Sequence, residues 1–353
     1  MIKLFLTLAV GTLCGLLCRK KDIPAGMMIG SMMGAMLFSV LTGLAWVPVE
    51  FRFLAQAVSG AAIGFGFGRE DAKKLPGMIK PLSLLMLALI VVNLVVGLLI
   101  YFFSPLDIIT SLLCCLPGGL SETPPIAEEM GGNMAQVAFL QFIRMSVGIG
   151  LLPAILGHMF KDDLKSVPQP APSAASKSAN SASAEQPLTL PLILLMIIAT
   201  IGGGFLGNWV GIPAGTIIGS MLLTMALKLA LPRIHFSVKI KRAAQVLAGS
   251  YVGSSVTAQD LRSLPYLIVP VVLIIVGYTI YWLILGRAMH NLYGIERKAA
   301  YLSVIPAGGG DIALMAADLG IYDTDLLVMQ IFRMILVIGI FPQVIRLIAA
   351  FFI

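Results

Sequence analysis

Apolar positions in this chain form long unbroken runs, not the alternation of a half-buried strand or the narrow stripe of a surface helix. The run Leu82 to Phe103 carries no charge and has Asn93 near its middle, and Leu267 to Leu285 is also uncharged. At 1.5 Å per residue, either run is long enough as a helix to cross a bilayer core of about 30 Å. Polar and basic breaks divide the pattern into six elements in the first half, near 2–18, 24–46, 52–68, 80–103, 108–131 and 134–159. Six more follow near 188–207, 213–231, 241–257, 267–288, 298–320 and 324–352. Five elements of each set read as spanning helices, the third being short and glycine-rich. The fifth differs: Ile108 to Met130 holds Pro117-Gly118-Gly119, Pro124-Pro125 and the acids Glu122, Glu128 and Glu129. A continuous helix in lipid does not tolerate so many breakers and charges, because freed backbone groups need protein or water partners. It reads as a broken or re-entrant element, with the short third element its rival as the one that does not cross.

The two sets are copies. Ile23-Pro24-Ala25-Gly26 returns as Ile212-Pro213-Ala214-Gly215, and Ile29-Gly30-Ser31-Met32 as Ile218-Gly219-Ser220-Met221, at an offset of 189. The same offset carries Ala55-Gln56 onto Ala244-Gln245, Glu122 onto Asp311, Gln141 onto Gln330, Arg144 onto Arg333 and Pro153 onto Pro342. One constant spacing from end to end is the mark of a tandem duplication. Between the copies, Val167 to Gln186 is rich in Pro, Ala, Ser and Gln and reads as a solvated linker. The expected organisation is a first membrane repeat at 1–160, a flexible linker at 161–187 and a second membrane repeat at 188–353.

Composition agrees. Of the 353 residues 58% are hydrophobic and only 12% charged, with a mean hydropathy of +0.97, whereas soluble domains carry about 25% charged residues. The net charge of +7 sits in short clusters between apolar runs, which reads as loop charge and not as a nucleic-acid face. In the first copy the clusters follow elements one (Arg19-Lys20-Lys21) and three (Arg69, Lys73, Lys74, Lys80). In the second they follow elements two (Lys228, Arg233, Lys239, Lys241, Arg242) and four (Arg287, Arg297, Lys298). The positive-inside rule then orients the copies oppositely, which requires an odd number of crossings in each. The expected fold is all-α and polytopic: an inverted-topology repeat of about 5+5 transmembrane helices with two broken or re-entrant segments, the linker cytoplasmic and both termini outside. Lys3 ahead of the first apolar run resembles a signal peptide, but the basic cluster that follows favours an uncleaved helix.

The candidate chemistry lies at the two breaks. Pro117-Gly118-Gly119-Leu120-Ser121-Glu122 is followed by Gln141 and Arg144; Pro306-Ala307-Gly308-Gly309-Gly310-Asp311 is followed by Gln330 and Arg333. Gln and Arg three apart share one helix face. Broken helices aim half-helix dipoles and free backbone groups inward, where an ion or carboxylate can be held without water. Glu122 and Asp311 would take a proton or cation, and Arg144 and Arg333 an anionic group. In the competing reading, Glu122 with Arg144 and Asp311 with Arg333 only neutralise each other. The glycines of element three, and Gly11, Gly15 and Gly204, fit close helix packing. Gln56 and Gln245 fit interhelical hydrogen bonding. No catalytic residues, cofactor or metal site are expected: His158, His235 and His290 share no ligand spacing, and Cys14, Cys18, Cys114 and Cys115 lie in apolar runs.

Pro117-Gly118-Gly119, Ser121, Ala127, Gly131, Gln141 and Arg144, with the second set ending at Gln330 and Arg333, resemble the AbrB family of duplicated bacterial membrane proteins. The resemblance covers both copies and omits the linker. It implies a multi-pass protein of the bacterial cytoplasmic membrane, from a family whose names point to ammonia monooxygenase or to gene regulation and in which transport is suspected. No copper site and no DNA-binding motif accompany it here. Ala307 stands where the family's first glycine belongs, and Glu122 where a less polar residue is expected. The reading is a secondary transporter of a small solute, anions favoured, working by alternating access with proton or cation coupling. A membrane sensor or regulator on a transporter-like fold, and an ion channel, stay open as alternatives. The partners expected are the lipid bilayer and the solute, with a homodimer compatible and no nucleic acid.

Overall fold

A computed structural model describes residues 2–21, 26–159, 190–232, 234, 236–258, 260, 264–306 and 324–352. Their regular secondary structure is helical, without strands among the described residues. The helices of the first half are α1 (Ile2–Lys20), α2 (Gly26–Thr42), α3 (Glu50–Gly64), α4 (Arg69–Phe103), α5 (Ile108–Cys114), α6 (Thr123–Glu129), α7 (Met134–Ser146) and α8 (Leu152–Met159). Those of the second are α9 (Leu190–Trp209), α10 (Gly215–Ala230), α11 (Val238–Ser255), α12 (Ile268–Tyr293), α13 (Arg297–Ser303) and α14 (Thr324–Ala349). Six stretches among the described residues are long and apolar enough to cross a membrane: Ile2–Lys20, Arg69–Phe103, Met134–Leu151, Pro191–Trp209, Leu264–Tyr293 and Val328–Ala349. Two shorter apolar helices, α2 and α10, lie beside them. The chain is a multi-pass membrane protein.

Sequence and structure differ at two places and agree at a third, the broken fifth element. The fourth element starts at Arg69, not near residue 80, so Pro76 and Pro81 lie inside a 35-residue helix. Its charged first turns are anchored by the Gly68 amide, which donates to Asp71 Oδ2 at 2.7 Å. The sixth element is interrupted by a π-helical turn at Val147–Leu151, just before Pro153; proline has no N–H and cannot continue the regular ladder. The fifth element splits into α5 and α6. Its counterpart is described only through α13 and Pro306, and the linker lies outside the described residues.

Helix packing repeats at the same spacing as the sequence. A Cβ on Gly60 of α3 would collide with the Ile217 carbonyl of α10, and one on Gly249 of α11 would collide with the Met28 carbonyl of α2. One turn on, Gly64 meets Met221 and Gly253 meets Met32. In each pair the residue numbers rise together, so α3 runs parallel to α10 and α11 parallel to α2. The halves thus exchange equivalent contacts, as two copies about a twofold axis do. Glycine is what permits backbone-to-backbone approach at these crossings.

Candidate functional site

The α5–α6 break begins as a problem of unsatisfied carbonyls. A helix that stops leaves its last carbonyls without intrahelical donors, and inside an apolar bundle each must find another partner. Here α5 stops at Cys114, with Pro117 three residues on. Side chains from three other helices serve the exposed carbonyls. Asn93 of α4 donates to Leu112 O at 3.0 Å. Gln141 of α7 donates to Leu113 O at 2.9 Å, Leu116 O at 2.8 Å and Cys114 O at 3.4 Å. The Tyr278 hydroxyl of α12 donates to Cys115 O. Arg144 of α7 donates to Gly118 O at 2.7 Å and to its own helix neighbour Gln141 Oε1 at 2.6 Å.

Arg144 also crosses between the halves, donating through Nη1 to Pro306 O at 3.4 Å. Its guanidinium stands 5.8 Å from the centre of the Tyr278 ring, a cation–π distance. The side chain is 3% exposed and, among the described residues, makes no ion pair and leaves Nε without a partner. The sequence allowed Glu122 to neutralise it. That pairing is not made. Glu122 is 5% exposed, folds back over Gly119, and accepts from Ser121 Oγ at 3.0 Å, with Oε2 unpartnered. A Cβ at Gly119 would overlap the Glu122 carboxylate, so glycine is what lets the acid tuck in.

The second half repeats the arrangement. Gln330 Nε2 donates to Ser303 O at 2.8 Å, Arg333 Nη1 to Ile305 O at 2.5 Å and Trp282 Nε1 to Tyr301 O at 3.0 Å. Tyr278 and Tyr281 of α12 have ring centres 5.9 Å apart, and Arg333 lies within electrostatic range of both and of Arg144. The two arginines therefore belong to one cluster. Tyr281 Oη and Gln330 Oε1 are further buried polar atoms without a partner. Structure brings together Gly118, Gln141, Arg144, Pro306, Gln330 and Arg333, keeps Pro117, Gly119, Ser121 and Glu122 on the same break, and leaves Gly308, Gly309, Gly310 and Asp311 outside the described residues.

Three participants escaped the sequence reading. Asn93 and Trp282 are 189 apart and serve carbonyls 189 apart, so aligning the repeats would have linked them, although an amide and an indole look unrelated. Tyr278 corresponds to Leu89 in the first half, and no repeat signal marks it.

Both ends of the broken element are tied together. Asp107 caps α5 by accepting from Thr110 N at 2.8 Å, and the Asn133 amide, just ahead of α7, donates to Thr110 Oγ1 at 2.8 Å. Beside this lies a cluster joining the halves: Glu128 takes Arg52 at 3.2 Å and the Tyr251 hydroxyl at 2.7 Å, and Gln56 donates to Glu129 at 3.4 Å. Gln56 is thus the interhelical donor its sequence position suggested.

The chain is 25% identical over 158 residues to an uncharacterized protein, YhjN, of Bacillus subtilis (strain 168), covering 42% of this chain and 41% of that one. It is 25% identical over 147 residues to a protein of Escherichia coli (strain K12) named as a candidate regulator AbrB, covering 42% of each. The alignments span about two fifths of those relatives. A family profile described as transition state regulatory protein AbrB matches residues 1–80 and 27–349, and on that extent the chain belongs to the AbrB family.

Proposed function

We propose that the chain is a secondary transporter of a small organic anion, working by alternating access around the Arg144 cluster. One observation carries this reading: a buried guanidinium without a carboxylate partner donates to the broken element of its own half and to Pro306 of the other. A buried charge left without a counter-charge is costly. A substrate carboxylate would supply it, and the unpartnered Arg144 Nε and Tyr281 Oη offer donors for such a group. Glu122, with a free oxygen on the same break, would carry the coupling proton or cation, and Asp311 its equivalent in the second copy.

In this proposal each half is one membrane repeat, 1–160 and 188–353, joined by a cytoplasmic linker at 161–187, and the two are inverted. Parallel packing of α2 with α11 and of α3 with α10 supports the inversion. Successive spans alternate direction, so elements two and three of one half can each run with elements three and two of the other only if equivalent elements oppose. The Thr110–Asn133 tie supports a re-entrant fifth element that leaves on the side it entered. Alternating access then moves one bundle against the other around the midplane breaks.

The name of the Escherichia coli relative favours a second reading, a membrane sensor that binds the same solute and regulates indirectly. The two separate on flux. Organic anions are screened for thermal stabilisation of purified protein, since a ligand at 100 times its Kd stabilises the folded state by about 2.7 kcal/mol. The hit is then assayed for uptake into proteoliposomes. Binding with uptake supports transport, and binding without uptake supports the sensor. An unchanged response in both Arg144→Ala and Glu122→Gln would overturn the site itself.

A further inference from the structure

A second cavity lies away from the Arg144 cluster, at the end of the bundle where α5 begins and α6, α9 and α14 end. Its volume is about 560 Å³. Glu129 and Arg346 both line it, with Asn208 between the apolar surfaces of Ile109, Met130 and Ala349. The two charges are not paired with each other. Both are exposed to solvent: Glu129 Oε2 accepts from Gln56 Nε2 at 3.4 Å with Arg52 in electrostatic range, and Arg346 Nη1 donates to Gly211 O at 3.2 Å. The second bond engages one of the five guanidinium N–H groups. The wall itself is fixed, because Gln343 of α14 donates to Pro213 O at 2.9 Å.

Opposite charges held apart across one cavity select by charge pattern. A plain anion entering would meet Glu129, and a plain cation would meet Arg346. A molecule carrying both signs satisfies both walls, while the apolar residues accept a side chain. We infer that this cavity binds a small zwitterion of the α-amino-acid class, its ammonium toward Glu129 and Asn208 and its carboxylate toward Arg346. This site does not rest on the transport reading, since occupancy needs neither flux nor an inverted topology.

The test uses purified full-length protein in detergent and equilibrium binding. A panel of L-amino acids is titrated, and for the tightest the matching amine without carboxylate and acid without ammonium are titrated too. Each single-charge analogue is expected to bind more weakly by on the order of tenfold or more, the loss of one charge-assisted contact. Arg346→Gln then brings the amino acid down to the affinity of the amine, Arg346→Lys restores part of the difference, and Glu129→Gln brings it down to that of the acid. The inference is overturned if no amino acid binds, if either analogue matches its parent, or if Arg346→Gln leaves the discrimination intact.

Discussion

The ends of α5 and α13 pose one backbone problem and solve it with different side chains. In the first half Asn93, Gln141, Arg144 and Tyr278 serve the carbonyls from Leu112 to Gly118. In the second, Trp282, Gln330 and Arg333 serve Tyr301, Ser303 and Ile305. The glutamine keeps its target: Gln141 reaches Cys114 O and Gln330 the equivalent Ser303 O. The arginines diverge. Arg333 serves Ile305 O of its own half, while Arg144 reaches past the position equivalent to Ile305 to Gly118 and across to Pro306. Duplication preserved the demand for donors, because carbonyls in an apolar interior have no water to turn to. Identity of the donor was free to drift, and Arg144 bridges the halves.

Equivalence of the halves is tested hardest at the glycine crossings. Gly60→Leu and Gly249→Leu each drive a side chain into a facing carbonyl and should each cost roughly 3 kcal/mol or more, the upper range for overpacking. Loss of monodisperse protein on size-exclusion chromatography is the readout, and damage from only one of the two would break the equivalence. Next comes the bridging arginine. Arg144→Gln removes charge-assisted bonds to both halves and should destabilise by about 3 kcal/mol. An unchanged Tm would mean that the bridge to Pro306 adds nothing.

Asn93→Leu and Trp282→Phe make the matched test of donor against donor. Each leaves one buried carbonyl without its partner, worth about 1–3 kcal/mol, with the indole paying a further packing loss. Should Asn93→Leu leave the melting curve unchanged, its equivalence with Trp282 would be an accident of position. Smallest is a pH effect at the loops after the third elements. Asp71 accepts from Gly68 N, and 189 residues on Asp260 accepts from Thr257 N at 2.8 Å. Burial pushes the Asp260 carboxyl up, but hydrogen bonds from Thr257 and Asn133 outweigh burial and hold it below the usual value. A depressed folded pKa means that its stabilisation is present above the unfolded value of about 3.9 and is lost as pH falls through the folded one. Asp260→Asn should therefore lower Tm at pH 7 slightly, with the difference shrinking as pH falls below about 3.9; a variant equally destabilised at every pH would point to packing instead.

Much of this was legible in the order of residues. Uncharged runs such as Leu267 to Leu285 have one physical solution in lipid, so their helicity follows from hydropathy alone. The breaker-rich stretch around Pro117 could not continue a helix, and it does not. Gln141 and Arg144 announced a shared face, and both turn to the break. Less legible was anything set by distance across the bundle. Nothing marks Tyr278 in a run of apolar neighbours, since its role depends on where α12 lies against α5. The acid–base pairing of Glu122 with Arg144 was equally reasonable from composition, and only the placement of Gly118 O and Pro306 O beside the guanidinium decided against it.

The chain order alone determined that the protein is helical and membrane-embedded, that it is duplicated at a spacing of 189, and that each copy carries an interruption followed by Gln and Arg. Those features follow from local chemistry: the cost of bare peptide groups in hydrocarbon, and proline's missing donor. Tertiary structure alone decided which donor serves which carbonyl, that Arg144 reaches Pro306 of the other half, and that Glu129 and Arg346 face one cavity without pairing with each other. Those depend on separations of a few ångströms between residues far apart in the chain, to which hydrogen bonds and ion pairs respond steeply and sequence patterns do not.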